Sequence, residues 1–149
     1  MPTITKHDLE DAYNWIDIGG VQNEAWLCLS TGKVYLNTDD PGVFDMEFEV
    51  PDDLYDSDDY IQIPDKYELD LGSRLVFRFT DAHMPDRYED VQDIFRRKGA
   101  YRRFRNLLER EDKESEWYAF RDASTEEALL GWCHDHGIEV VENESNGDV

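Results

Sequence analysis

The sequence that decides the fold is EAWLCLSTGKVYLN, at residues 24–37. Side chains alternate between two faces along its first half, so that Trp26 lies on one face and Leu27 on the other. Thr31 and Gly32 then turn the chain before a second apolar run, VYL. This stretch predicts an antiparallel β-hairpin.

The residues around the hairpin predict one helix and three further short strands. Thr5 is a candidate N-cap for a helix that runs to about Ile16, because its apolar residues recur at helical spacing and its first turns are acidic. Alternation at residues 47–50 predicts a short edge strand, and residues 60–64 predict another that ends at a proline. A last short strand is expected at residues 138–141.

Helical periodicity governs the second half of the chain. Apolar residues recur at helical spacing from about Leu71 onward, and Gly99 divides this region into separate helices. Ser124 or Thr125 is expected to cap the last helix, and Gly137 is expected to end it. The predicted fold class is therefore α+β: a small antiparallel sheet, made of the hairpin and short strands, packed against several helices mainly from the C-terminal half.

Length and composition predict one folded domain. The chain has 149 residues, of which 40% are hydrophobic and 13% aromatic, and this is enough to fill a modest core despite a formal net charge of −21. We predict a single domain over residues 1–141, in which the acidic segment at residues 38–59 forms a loop. The polar residues 142–149 are expected to form a flexible acidic tail.

Cysteine use and hydropathy indicate a cytoplasmic protein. Cys28 and Cys133 lie in apolar patterns far apart in the sequence, and they are expected to be free thiols. The N-terminus has no signal-peptide core and no apolar run is long enough to span a bilayer, so no membrane association is expected. The negative net charge also restricts any nucleic-acid contact to a local surface.

Residues 38–59 form an acidic segment without a single Lys or Arg. One interpretation is a solvated loop that favours solubility, for which a salty habitat would be a further reason. The other is a surface for a basic protein partner, on which carboxylates imitate the phosphates of a nucleic acid. The residues of this candidate partner-binding surface, here called the acidic face, are Asp39, Asp40, Asp45, Glu47, Glu49, Asp52, Asp53, Asp56, Asp58 and Asp59.

Positive charge is concentrated in residues 96–105, RRKGAYRRFR, which contain no acid. Arginine forms forked contacts with phosphates and Tyr101 could stack on an unpaired base, so this region predicts an alternative site for RNA or single-stranded DNA. The competing interpretation is that these cations pair with the protein's own surplus of carboxylates. The candidate nucleic-acid-binding residues, here called the basic segment, are Arg96, Arg97, Lys98, Arg102, Arg103 and Arg105.

No motif predicts catalysis, a cofactor or a metal site. The aspartates at residues 52–59 lack the glycine and the glutamate that an EF-hand calcium loop requires at its sixth and twelfth positions. Cys133, His134 and His136 have the chemistry of zinc ligands, but neighbouring residues of a helix point in different directions. Since 36 acidic residues make chance carboxylate pairs common, no general acid and base are singled out.

The C-terminal half of the chain resembles a family of bacterial proteins, the uncharacterised protein family (UPF) 0158. The segments that carry the resemblance are KGAYRRFRNLLERE at residues 98–111 and EWYAFRDASTEEALLGWCHDHGIEV at residues 116–140. The hairpin is also similar to the strand, Thr-Gly turn and strand of that family. The resemblance implies a single cytoplasmic domain but no activity, and the chain departs from the family pattern in the length and acidity of residues 38–59.

These observations lead to two functional hypotheses. The first is a cytoplasmic, non-enzymatic binding or regulatory protein whose acidic face engages a basic protein partner, as a nucleic-acid mimic or inhibitor. The alternative is a module that binds RNA or single-stranded DNA through the basic segment. The oligomeric state is not predicted.

Overall fold

A computed structural model of the protein describes residues 2–18, 20–44 and 48–142. Its strands are β1 (Thr3–Thr5), β2 (Asn23–Cys28), β3 (Val34–Thr38), β4 (Tyr60–Gln62) and β5 (Glu139–Val141). Its helices are α1 (Lys6–Ile16), α2 (Pro41–Phe44), α3 (Ser73–His83), α4 (Tyr88–Ile94), α5 (Ala100–Glu111) and α6 (Glu114–Asp135), with a 3-10 turn at Pro85–Arg87. The predicted α+β class is confirmed, as is the concentration of helices in the C-terminal half.

The chain divides into two compact units. The first, here called unit 1, comprises residues 1–65 and 129–149, and unit 2 comprises residues 66–128. Unit 1 therefore holds all five strands of the described residues, together with α1 and α2. Apart from Glu142, the predicted tail lies outside the described residues. No helix in the described ranges is long and apolar enough to cross a membrane.

The predicted hairpin is confirmed and forms two strands of a three-stranded antiparallel sheet in the order β3-β2-β4. Trp26 pairs with Tyr35 on β3 and with Gln62 on β4. The side chain of Leu27, on the opposite face, is fully buried. Gly32 makes the turn with a positive φ of 79°, which glycine adopts without steric cost. The sheet therefore has one buried face and one outer face that carries Trp26.

The first helix begins where the sequence predicted it. The Thr5 side chain accepts a hydrogen bond of 3.1 Å from the backbone N–H of Asp8, as an N-cap residue does. Leu9 and Ala12 lie on its buried face. Trp15, near its C-terminus, donates its indole N–H to the carbonyl oxygens of Glu24 and Asn37, and this fixes α1 to the hairpin.

Unit 1 also contains a parallel pair of strands. The predicted C-terminal strand is confirmed as β5, and its partner is β1, with Ile4 opposite Val140. The sequence did not predict β1, because three residues directly before a helix carry too short an alternation to be recognised. Gly137, with a φ of 69°, ends α6 as predicted and leads the chain into β5.

Two local predictions are wrong. Residues 48–50 of the predicted edge strand are not extended in a sheet, because Phe48 instead contacts Trp15 at a ring distance of 5.2 Å; residue 47 lies outside the described residues. Ser124 and Thr125 do not cap a helix, because α6 runs through them without a break. The Thr125 hydroxyl donates to the carbonyl of Arg121 at 2.8 Å, a bond that accommodates threonine inside a helix.

Aromatic side chains fill the core of unit 2. The rings of Phe79 and Trp117 lie 5.3 Å apart, and Phe104 contacts Trp117 at 5.2 Å. All three are buried, so apolar side chains of α3, α5 and α6 meet here. The sequence predicted the apolar stripe of α5, but it placed Trp117 before the last helix and not within it. Gly99, with a φ of 73°, precedes α5 and turns the chain away from α4.

Candidate functional site

The structure separates the acidic face into exposed carboxylates and carboxylates that hold the fold. Asp45 and Glu47 lie outside the described residues. Asp39 accepts a hydrogen bond of 3.0 Å from the backbone N–H of Gln22. Asp59 is half-buried, while the remaining residues of this set are exposed: Asp39, Asp40, Glu49, Asp52, Asp53, Asp56 and Asp58.

Residues 51–59, here called the acidic loop, have a defined backbone structure. The N–H of Leu54 donates to the carbonyl of Pro51 at 3.1 Å, and the N–H groups of Asp56 and Ser57 donate to the carbonyl of Asp53 at 3.0 and 2.9 Å. The Leu54 side chain is only 1% exposed. A buried leucine and a hydrogen-bonded turn therefore fix the loop, as expected for an acidic segment that carries apolar residues.

Four aspartates of the acidic loop project from this fixed backbone. Their side chains are exposed, and none of them forms an ion pair with any described residue of the chain. Repulsion between these negative charges lowers the stability of the fold. A surface on which each carboxylate pairs with a cation would not lose this stability. The four aspartates are Asp52, Asp53, Asp56 and Asp58.

Asp59 has a different environment at the end of the acidic loop. Its carboxylate accepts hydrogen bonds from the hydroxyl of Ser30 at 2.7 Å and from the thiol of Cys28 at 3.4 Å. Burial acts to raise the pKa of the Cys28 thiol, but hydrogen bonds from Ser30 and Thr31 outweigh it and lower this pKa below its usual value. Asp59 therefore fastens the loop to the end of β2.

Aromatic rings cover the outer face of the sheet beside this loop. Trp26, Tyr35 and Tyr60 share this face by register and are half-buried. Tyr55, from the acidic loop, is 61% exposed and lies edge-to-face against Trp26, with 5.3 Å between ring centroids and 83° between ring planes. At the other end of the face, Lys33 places its ammonium 4.9 Å from the centroid of the Tyr35 ring.

Glu24 joins Trp26 and Tyr55 through one carboxylate oxygen. Its Oε1 accepts a hydrogen bond of 2.6 Å from the Tyr55 hydroxyl and one of 3.1 Å from the Trp26 indole N–H. Asn37 donates to the same hydroxyl at 3.1 Å. The bond to Glu24, and then burial, raise the pKa of Tyr55. The alternation of β2 predicts that Glu24 and Trp26 lie on one face, but no sequence pattern predicts that Tyr55 contacts them.

The basic segment is less paired than a chain of net charge −21 would suggest. Arg96 forms an ion pair of 2.9 Å with Asp93, but the other five cations make no ion pair with described residues. All six side chains are exposed. Among pairs of described residues, the interpretation that these cations pair within the protein therefore holds for Arg96 and not for the other five. Tyr101 is 46% exposed and contacts Phe95 at 5.1 Å.

The sequence Cys133-His134-Asp135-His136 does not converge on one point. Cys133 is 1% exposed, and burial raises the pKa of its thiol to about 11, whereas His134 and His136 are exposed. The Nδ1 atom of His136 lies 2.8 Å from the carbonyl oxygen of Trp132. Across residues 2–18, 20–44 and 48–142, no three His, Cys, Asp or Glu side chains are grouped as metal ligands would be.

A polar groove in unit 2 is lined mainly by charged side chains that form ion pairs. Arg87 bridges Asp90 at 3.4 Å and Glu111 at 3.3 Å. These two carboxylates raise the pKa of Arg87, and the largest cause is the hydrogen bond that Arg87 donates to Glu111. The Arg87 cation and both carboxylates therefore satisfy each other, whereas Arg110, which also lines the groove, forms no ion pair with a described residue.

Comparison of the chain with models of protein families, with curated proteins and with solved structures gives no match. The resemblance to UPF 0158 rests on the quoted segments alone and stays a prediction. The acidic loop, the outer sheet face and the basic segment are therefore the candidate binding surfaces of the protein.

Proposed function

We propose that this protein is a cytoplasmic, non-enzymatic binding or regulatory protein whose acidic face engages a basic protein partner. The observation that supports it best is the acidic loop, in which exposed, unpaired aspartates stand on a backbone fixed by hydrogen bonds and by buried Leu54. A loop kept only for solubility would not need this order. A fixed array lowers the entropy lost when a partner binds.

Binding would begin with long-range attraction between the acidic face and a positive surface. The net charge of −21 steers a basic protein toward the chain, and the acidic loop then gives the complex its orientation. A partner that normally holds nucleic-acid phosphates would have its binding surface occupied. The protein would act as an inhibitor of that partner by imitating the spacing of phosphate charges.

Affinity capture from cytosol at low ionic strength, with and without nuclease, tests this proposal. We expect a basic protein that is retained after nuclease treatment and released by salt, because exposed charges are screened over about 10 Å at 0.1 M salt. The variant that removes the four charges of the acidic loop should no longer retain this basic protein. That variant carries Asp52→Asn, Asp53→Asn, Asp56→Asn and Asp58→Asn.

A matched control separates the loop from net charge. Neutralising four exposed acids elsewhere, which make no ion pair with described residues, changes the formal net charge equally, from −21 to −17. This control should retain the partner. Equal retention by both variants would show that the loop has no special role. The control carries Asp81→Asn, Glu109→Gln, Glu127→Gln and Glu139→Gln.

The second candidate function is binding of RNA or single-stranded DNA through the basic segment. The observation that favours it is the exposure of five cations without ion pairs to described carboxylates, next to the exposed ring of Tyr101. Arginine forks bind phosphate oxygens, and an exposed tyrosine stacks on an unpaired base. Such binding would be local, because the rest of the chain repels nucleic acid.

Retention of labelled single-stranded RNA distinguishes this candidate. Arg102→Glu with Arg103→Glu should abolish retention while the far-ultraviolet circular dichroism spectrum stays unchanged. The control reverses Arg74 and Arg78, two arginines that both pair with Asp70, and it makes the same change in net charge. RNA held equally by both double variants would exclude the basic segment as the site.

A further inference from the structure

Trp26, Tyr55 and Glu24 have the geometry of a receptor for a cation. The two rings meet at 83°, and the Glu24 carboxylate lies at their polar edge, where it accepts from both Nε1 and the hydroxyl. Aromatic faces attract ammonium and guanidinium groups, and cages of several aromatic rings bind such cations. Glu24 Oε2 accepts no hydrogen bond from a described residue, so it remains available to a donor.

The protein's own Lys33 shows that this face accepts an ammonium group. Its Nζ lies 4.9 Å from the centroid of Tyr35, within the range of a cation–π contact. Tyr35 is the direct neighbour of Trp26 across β2 and β3. No Lys or Arg of the described residues lies over Trp26, Tyr55 or Tyr60, so these rings lack the partner that Tyr35 has.

The charged side chains beside the Tyr55 end of this face are carboxylates. Tyr55 belongs to the acidic loop and is flanked by the unpaired carboxylates of Asp53 and Asp56. Burial raises the pKa of Tyr60 on the same face, and the charge of Asp53 is the next largest cause. A phosphate or a carboxylate would be repelled here, whereas a side-chain cation would be attracted by the rings and by the loop together.

We propose that Trp26, Tyr55 and Glu24 form a receptor for one lysine or arginine side chain of a basic polypeptide. This inference rests on the proposed function and names the group that the partner inserts. The four loop aspartates supply attraction over a distance, and the receptor supplies short-range recognition. Charge alone would hold any basic surface, but a ring pair with a carboxylate at its edge selects a cation that is extended on a flexible stem.

The experiment uses an octalysine peptide as the probe and isothermal titration calorimetry of the full chain. Tyr55→Leu should weaken binding roughly two- to fivefold, the loss expected for one exposed cation–π contact. Tyr55→Phe keeps the ring and should bind within a factor of about two of the unchanged protein. Tyr67→Leu is the matched control, since Tyr67 is 72% exposed and lies in unit 2.

The loop variant with four Asp→Asn changes separates the receptor from the proposed function. If it weakens binding while Tyr55→Leu binds like the unchanged protein, the receptor is refuted and the proposed function stands. Octalysine that fails to bind the unchanged protein at about 0.01 M ionic strength would overturn both. If Tyr55→Leu does not fold, the indole N–H signal of Trp26 in the unchanged protein decides, since it must shift when the peptide is added.

Discussion

Leu54→Ala tests whether the acidic loop is part of the folded structure. Leu54 is 1% exposed, so the substitution removes three buried carbon groups and leaves a cavity. At about 0.8 kcal/mol per group, the transfer term is about 2.4 kcal/mol, and the cavity term brings the expected loss to about 2.5–4 kcal/mol. A solvated loop that touched nothing would lose about 0.5 kcal/mol or less.

Urea denaturation followed by circular dichroism measures the change in the free energy of unfolding. Leu130→Ala is the matched control, because Leu130 is 38% exposed on α6 and should lose less than about 1 kcal/mol. A loss at Leu54 no larger than the loss at Leu130 would refute the buried anchor. The exposed aspartates of the acidic loop would then lack a fixed scaffold, and the acidic face would no longer be a preformed binding surface.

Three further predictions concern glycines and thiols. Gly32→Ala should destabilise the protein more than Gly20→Ala. Both glycines have positive φ, but only at position 32 would the alanine Cβ clash with the β1 backbone. Equal urea midpoints for the two variants would refute this contact. Gly131→Ala should stabilise the protein by about 1 kcal/mol, because its Cβ meets nothing inside α6, and a lower melting temperature would contradict this. Iodoacetamide at about pH 8 should label Cys28 before Cys133, whose pKa of about 11 leaves roughly a thousandth as thiolate. The labelling rate of Cys133 should rise about tenfold per pH unit up to that pKa, as peptide mass spectrometry at several pH values would show, and a flat rate would contradict it.

Elements with a strong local pattern were predictable from the sequence. The hairpin follows from alternation around Thr31 and Gly32, and α1 follows from a cap at Thr5 with apolar residues at helical spacing. The continuity of α6 was not predictable, because Ser124 and Thr125 have the chemistry of caps and only the surrounding helix shows that Thr125 bonds backward. Parallel pairing of β1 with β5 joins opposite ends of the chain, which no local pattern encodes.

Some residues of the candidate site were predictable from the sequence, but their contacts were not. The sequence identified every acid of the acidic loop and every cation of the basic segment, but it grouped Asp59 with the exposed aspartates, although Asp59 accepts from Ser30. It also gave no reason to join Tyr55 to Glu24, which is 31 residues earlier.

The sequence by itself determined where charge is concentrated, which face of β2 is apolar and that helices dominate the second half of the chain. These properties depend on residue type and on spacing over a few positions. Only the tertiary structure decided which charges stay unpaired and that Tyr55 meets Trp26 beside a carboxylate. Side-chain hydrogen bonds and ring contacts form only between groups that lie within a few ångströms of each other. Which residues come that close depends on how distant parts of the chain fold together, and no local pattern encodes this.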